Sequence, residues 1–78
     1  MMNKKYILTD HAKKRMEERN ISFKDLKNVL EFPDISYQGK RGEINLVKET
    51  REGKTMRVIY VPKGKKKIII TAMLKHDK

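Results

Sequence analysis

The sequence predicts an α+β domain in which two N-terminal helices pack on a mainly antiparallel sheet of about four strands. Three observations carry that expectation. Apolar residues recur with a helical period as far as Pro33, the period then falls to two, and glycines at 39, 42, 53 and 64 punctuate the second half at spacings that suit hairpins.

The first helix starts at Thr9, whose hydroxyl suits an N-cap, with Asp10 as the acid of the first turn; its periodic segment runs to Arg19. Asn20 tolerates the left-handed conformation that ends a helix. A second start follows at once: Ser22 as the cap, Asp25 at the capping-box position, and Ile21 placed to staple onto Leu26. Phe23, Leu26, Val29 and Leu30 then form one apolar stripe, and Pro33 stops the helix.

Strands are expected at 35–38, 44–50, 54–61 and 67–74. Between the second and third, a type I turn at Arg51-Glu52 with Gly53 left-handed fits the chemistry better than Glu52 at positive φ. That turn pairs Lys48 with Met56, Leu46 with Val58 and Ile44 with Tyr60. Asn45, Val47, Glu49, Thr55, Arg57 and Ile59 then point to the opposite face. The predicted core sets Ala12, Met16, Phe23, Leu26, Val29 and Leu30 against Leu46, Val58 and Ile70. If the helices cover one face only, Ile69, Met73, Ile59 and Val47 make an apolar patch on the other.

The 78 residues are read as a single basic domain, 1–78, with one modest core, since a chain this short buries about 60% of its unfolded surface. No cysteine is present, so neither disulfides nor a thiolate metal site can brace it. No long apolar stretch follows the two lysines of MMNKKYIL, and the longest apolar run, 68–74, is broken by Thr71. A cytoplasmic protein with neither signal peptide nor membrane span is expected.

A formal charge of +10 makes polyanions the natural partners, although an acidic protein would fit the same field. Only the stretch 21–34 is not basic, and 62–78 carries six lysines against one aspartate. Lys40 and Arg41, between two glycines, and Lys65, Lys66 and Lys67, after Gly64, form cationic loops that suit phosphate contacts. They are elements of affinity rather than of specificity. Neither loop has the GxxxxGK[ST] pattern of a nucleotide-binding P-loop.

His11, Arg15 and Arg19 are spaced by four and share one helix face. An imidazole can transfer a proton near neutrality, and guanidinium groups can hold a phosphate. That kit suits metal-independent RNA cleavage, in which a 2′-hydroxyl attacks its own phosphate. The alternative is a helix histidine bonded locally and two solvated arginines. Arg57 interrupts an apolar strand and Thr71 interrupts an isoleucine run, which places a fixed cation and a hydroxyl on a rigid sheet face. An ion pair of Arg57 with Glu49, and a plain β-branched residue at 71, are the structural alternatives. His76 ends the last strand, either frayed or folded back over the sheet toward nucleic acid. No Asp/Glu/His cluster surrounds it in sequence, so neither a metal nor any other cofactor is expected.

The segments T-D-H-A-K-K-R-M-E-E-R-N-I-S (9–22), D-L-K-N-V-L-E-F-P (25–33) and I-I-I-T-A (68–72) resemble a small domain-of-unknown-function family with the signature H-A-x-x-R-[ML]-x-x-R-x-I-[ST]. That family is grouped with the RelE/ParE-like toxins and the wider barnase-like ribonuclease folds. Asn20 stands where the family often has glycine. The resemblance implies a RelE/ParE-like fold, a toxin paired with an acidic antitoxin, and function at His11, Arg15, Arg57 and Thr71. The leading expectation is a metal-independent endoribonuclease acting on RNA, free or ribosome-associated. A non-catalytic RNA- or DNA-binding module and a protein-binding toxin of the ParE type are the competing readings. Oligomeric state is left open.

Overall fold

The computed structural model describes residues 6–49 and 53–76, with the side chain of His76 outside the described set. Its elements in chain order are β1 (Tyr6–Leu8), α1 (Asp10–Glu18), α2 (Phe23–Glu31), β2 (Ile35–Gln38), β3 (Ile44–Glu49), β4 (Lys54–Lys63) and β5 (Lys66–His76). The strands form one sheet in the order β1-β5-β4-β3-β2. Three pairings are antiparallel, while β1 runs parallel to β5, with Tyr6 opposite Lys67 and Leu8 opposite Ile69.

The fold class stands as α+β with two helices, and the sheet is corrected from about four strands to five, of mixed direction. β1 escapes notice in sequence because Tyr6, Ile7 and Leu8 are too few to show a period. Pairing with the long β5, rather than intrinsic propensity, makes them a strand.

Both helices start as their caps require. Thr9 Oγ1 accepts from the Ala12 amide at 3.1 Å and also donates to the Ile69 carbonyl at 2.9 Å, so one hydroxyl caps α1 and ties it to β5. Ser22 Oγ accepts from the Asp25 amide at 3.1 Å. Between the helices, Asn20 at φ 54 completes a Schellman turn. The Ile21 amide reaches the Met16 carbonyl at 2.9 Å and the Asn20 amide reaches that of Glu17 at 3.3 Å. Ile21 and Met16 are both buried there. Lys48 Nζ donates to the Phe32 carbonyl at 2.8 Å and Asp34 Oδ2 accepts from the Glu49 amide at 2.9 Å, which pins the passage from α2 into β2.

The helices cover one face of the sheet. Ala12, Met16, Ile21, Leu26, Val29 and Leu30 meet Leu46, Met56, Val58, Ile69 and Ala72, with Tyr6, Leu8, Ile44, Tyr60 and Leu74 packed around them. The β3–β4 register is the predicted one, Ile44 with Tyr60, Leu46 with Val58 and Lys48 with Met56. Gly53 is left-handed at φ 72, while the turn at Arg51-Glu52 lies outside the described residues.

Two core expectations need correction. Phe23 is 45% exposed, because as the first residue of α2 it precedes the point where the stripe reaches the sheet. Ile69 is fully buried and Ile70 is 37% exposed, the reverse of the simple alternation. A bulge explains this: Ile59 pairs with Thr71 but Tyr60 pairs with Ile69, so Ile70 is the extra residue and every side chain before it changes face. Ile69 therefore leaves the uncovered patch, whereas Ile59, Met73 and Val47 stay on that face, half-buried. Among the described residues no helix is long and apolar enough to cross a membrane.

Candidate nucleic-acid interface

α1 turns Ala12 and Met16 toward the sheet, and His11, Arg15 and Glu18 are left on its flank. Arg15 Nε donates to His11 Nε2 at 3.5 Å, and Arg15 Nη1 donates to Glu18 Oε1 at 3.2 Å. The Arg15–Glu18 pair is close to half exposed, so it contributes about 0–1 kcal/mol and leaves Arg15 free to exchange partners. The Nε2 lone pair, which a general base would use, is engaged by Arg15 in this arrangement, so Arg15 must release it before His11 can take a proton there. Arg19 caps the C-terminus of α1, exposed, with no side-chain bond among the described residues.

Arg57 and Thr71 lie on the other side of the sheet. Arg57 sits between Met56 and Val58, both buried under the helices, so its own side chain emerges on the uncovered face. It stands opposite Val47 on one strand and Met73 on the other, and Thr71 is its diagonal neighbour on β5. Among the described residues no ion pair joins Arg57 to Glu49, its diagonal neighbour on β3. Alternation along β4 thus divides the four residues that the resemblance groups: His11 and Arg15 meet on the helix layer, Arg57 and Thr71 on the bare face, with the sheet between them. His76 ends β5 opposite Lys54.

The two cationic loops, by contrast, share one end of the sheet. The β2–β3 turn follows Gln38 and precedes Ile44, and Ile44 faces Tyr60; the β4–β5 turn lies just beyond, where Lys63 faces Lys66. Strands about 4.8 Å apart put the two turns about 10 Å apart across the sheet. Within the first turn, Glu43 accepts the Arg41 amide at 2.9 Å and folds beneath Gly39, where a Cβ would collide with its carboxylate. The one acid of that loop is thereby turned onto backbone, while Lys40 and Arg41 stay exposed. Gly64, at φ 61, is the first central residue of a two-residue turn whose second, Lys65, is not left-handed, a type II′ arrangement that directs Lys65 and Lys66 outward.

Behind these turns, on the helix side, lies a group that sequence reasoning missed. Lys67 Nζ is 5.8 Å from the Tyr6 ring centroid and 5.2 Å from that of Tyr60. The Tyr6 hydroxyl donates to the Glu31 carboxylate at the end of α2. Burial, then the Glu31 charge and that hydrogen bond, then Tyr60, push the Tyr6 phenol above its ordinary 10.0. The signal was the alternation Tyr6, Leu8 against Lys67, Ile69, which becomes readable only once β1 is known to pair with β5.

Residues 8–74 match a family described as a domain of unknown function, DUF4258. The chain belongs to the DUF4258 family. No curated protein and no solved structure matches it.

The matched span of this DUF4258 domain takes in His11, Arg15, Arg57, Thr71 and both cationic loops, and leaves Tyr6 and His76 outside it. Two clefts of about 320 and 340 Å³ flank α2. The first is lined by Lys24, Asp25, Lys27, Asn28 and Glu31, and the second reaches Lys48, Glu49 and Met56. Neither includes His11, Arg15, Arg57 or Thr71. Among the described residues no group of three His, Cys, Asp or Glu side chains could hold a metal ion.

Proposed function

We propose that this domain binds RNA through its phosphate backbone, along the basic end of the sheet. The observation that carries this is that two cationic turns, Lys40-Arg41 and Lys65-Lys66, lie at the same end of the sheet, about 10 Å apart across the strands, with Lys67 just behind them and Glu43 folded inward. Contacts of this kind hold the strand and carry little sequence information. The test is fluorescence anisotropy with labelled RNA of two unrelated sequences. Lys65→Glu together with Lys66→Glu is expected to weaken both alike, by tenfold or more, and an unchanged affinity would refute the assignment.

The Arg15–His11 contact favours a second reading, a RelE/ParE-like toxin that cleaves RNA without metal and is neutralised by an acidic antitoxin. His11 would take the 2′-hydroxyl proton and Arg15 would hold the phosphate. His11→Ala separates the readings: it abolishes cleavage with affinity unchanged if the second holds, and changes neither if RNA is only bound.

A further inference from the structure

Lys67, Tyr6 and Tyr60 point to the helix side of the sheet at the same end as both cationic turns, and the ammonium lies 5.8 and 5.2 Å from the two ring centroids. Tyr6 is on β1, Lys67 on β5 and Tyr60 on β4, so the lysine rises between two rings set two strands apart, about 10 Å. That gap is too wide for the rings to sandwich a base, and it is wide enough for a tetrahedral anion resting on the ammonium. Lys67 supplies the charge and each tyrosine a hydroxyl donor, the donor types that bind phosphate.

One donor of the slot is already engaged. The Glu31 carboxylate accepts from the Tyr6 hydroxyl and so competes for that donor, with no ion pair to Lys67 among the described residues. Glu31 is exposed and is the last residue of α2, with no other side-chain bond among the described residues, so it can swing out. Tyr37, the third tyrosine, is on the opposite sheet face, paired with Asn45, and takes no part.

We propose that Tyr6, Lys67 and Tyr60 form a phosphate-binding slot for a single-stranded RNA backbone, and that Glu31 is its intramolecular competitor. The slot rests on the RNA-binding reading and deepens it. A strand crossing the two turns would place one phosphate behind them, toward the helices, a path that a straight duplex cannot bend to follow. Single strands are therefore preferred.

Two arms test the slot separately from that reading. In the first, a labelled single-stranded RNA twelve-mer is titrated onto the full chain. Tyr6→Phe with Tyr60→Phe, which leaves the net charge unchanged, is expected to weaken binding about tenfold. Glu31→Gln is expected to strengthen it more than Glu17→Gln, which removes the same charge from α1. In the second arm, inorganic phosphate is titrated while the tyrosine ring resonances are followed. Tyr6 and Tyr60 should shift, Tyr37 should not, and Lys67→Gln should abolish the shifts. Native affinity in the double phenylalanine variant, with turn substitutions still damaging, overturns the slot and leaves RNA binding standing. Absence of RNA binding by the wild type sinks the functional reading, and the phosphate titration then decides the slot alone: ring shifts lost in Lys67→Gln sustain it, and silent rings overturn it.

Discussion

Asn20 holds a left-handed backbone at φ 54, a conformation that costs most side chains about 1 kcal/mol and glycine almost nothing. Its position is fixed by the Schellman bonds on either side, so substitutions act through backbone preference alone. Asn20→Gly is expected to leave stability level or raise it by up to about 0.5 kcal/mol, and Asn20→Val to lower it by about 1 kcal/mol, a fall of about 4–8 °C in Tm for a domain of this size. Thermal melts of the two variants check the order. Tyr6 gives a second expectation at this scale. Its folded pKa is raised, so the stability it contributes is fully present below the unfolded value of 10.0 and is lost as pH rises through the higher folded value. The stability gap between wild type and Tyr6→Phe should therefore be constant near neutrality and shrink above pH 10. A gap that widens with alkali would show that the fold does not hold the phenol above its ordinary value. Thr9, Ser22 and Asn20 were legible in sequence because capping depends on one residue and its immediate neighbours. Tyr6 was not, because its partners Glu31, Tyr60 and Lys67 are brought to it only by the sheet order.

The two helices and β2 to β5 were readable for the same reason that β1 was not: each is long enough to show its period or is fenced by a turn residue. The β3–β4 register followed from Gly53 and alternation together. Alternation failed along β5, where a run of three isoleucines carries no contrast to mark the bulge, and the faces of Ile69 and Ile70 were exchanged. That exchange makes a sharp prediction. Ile69→Ala removes a fully buried side chain among Ala12, Val58 and Ala72 and should cost about 2–4 kcal/mol. Ile70→Ala, at a half-exposed bulge, should cost less than about 1 kcal/mol. Chemical denaturation of the pair decides the register, and equal losses would contradict the bulge.

At the scale of the molecule, chain order places charge where the topology needs it. The only non-basic stretch, 21–34, is α2 with its flanks, whereas the β2–β3 and β4–β5 turns bring most of the loop cations to one edge. Sequence gave the loops their charge, but only the strand order showed that they share an end, and only alternation under a buried Val58 showed that Arg57 does not join His11. An interface built from dispersed cations should answer to salt more than to sequence. Each phosphate neutralised on a single strand lowers the slope of log affinity against log salt by about 0.7, so five cations, Lys40, Arg41, Lys65, Lys66 and Lys67, give a slope of about −3.5. Affinity should then fall roughly a hundredfold between 50 and 200 mM salt. Removing the charge of Lys65 and Lys66 should make the slope shallower by about 1.4, equally for every RNA tested, whereas Arg57→Gln, on the far face, should leave it unchanged. A flat titration would refute binding through the phosphate backbone, and a slope that depends on Arg57 and not on the lysines would move the interface from this end of the sheet to its uncovered face.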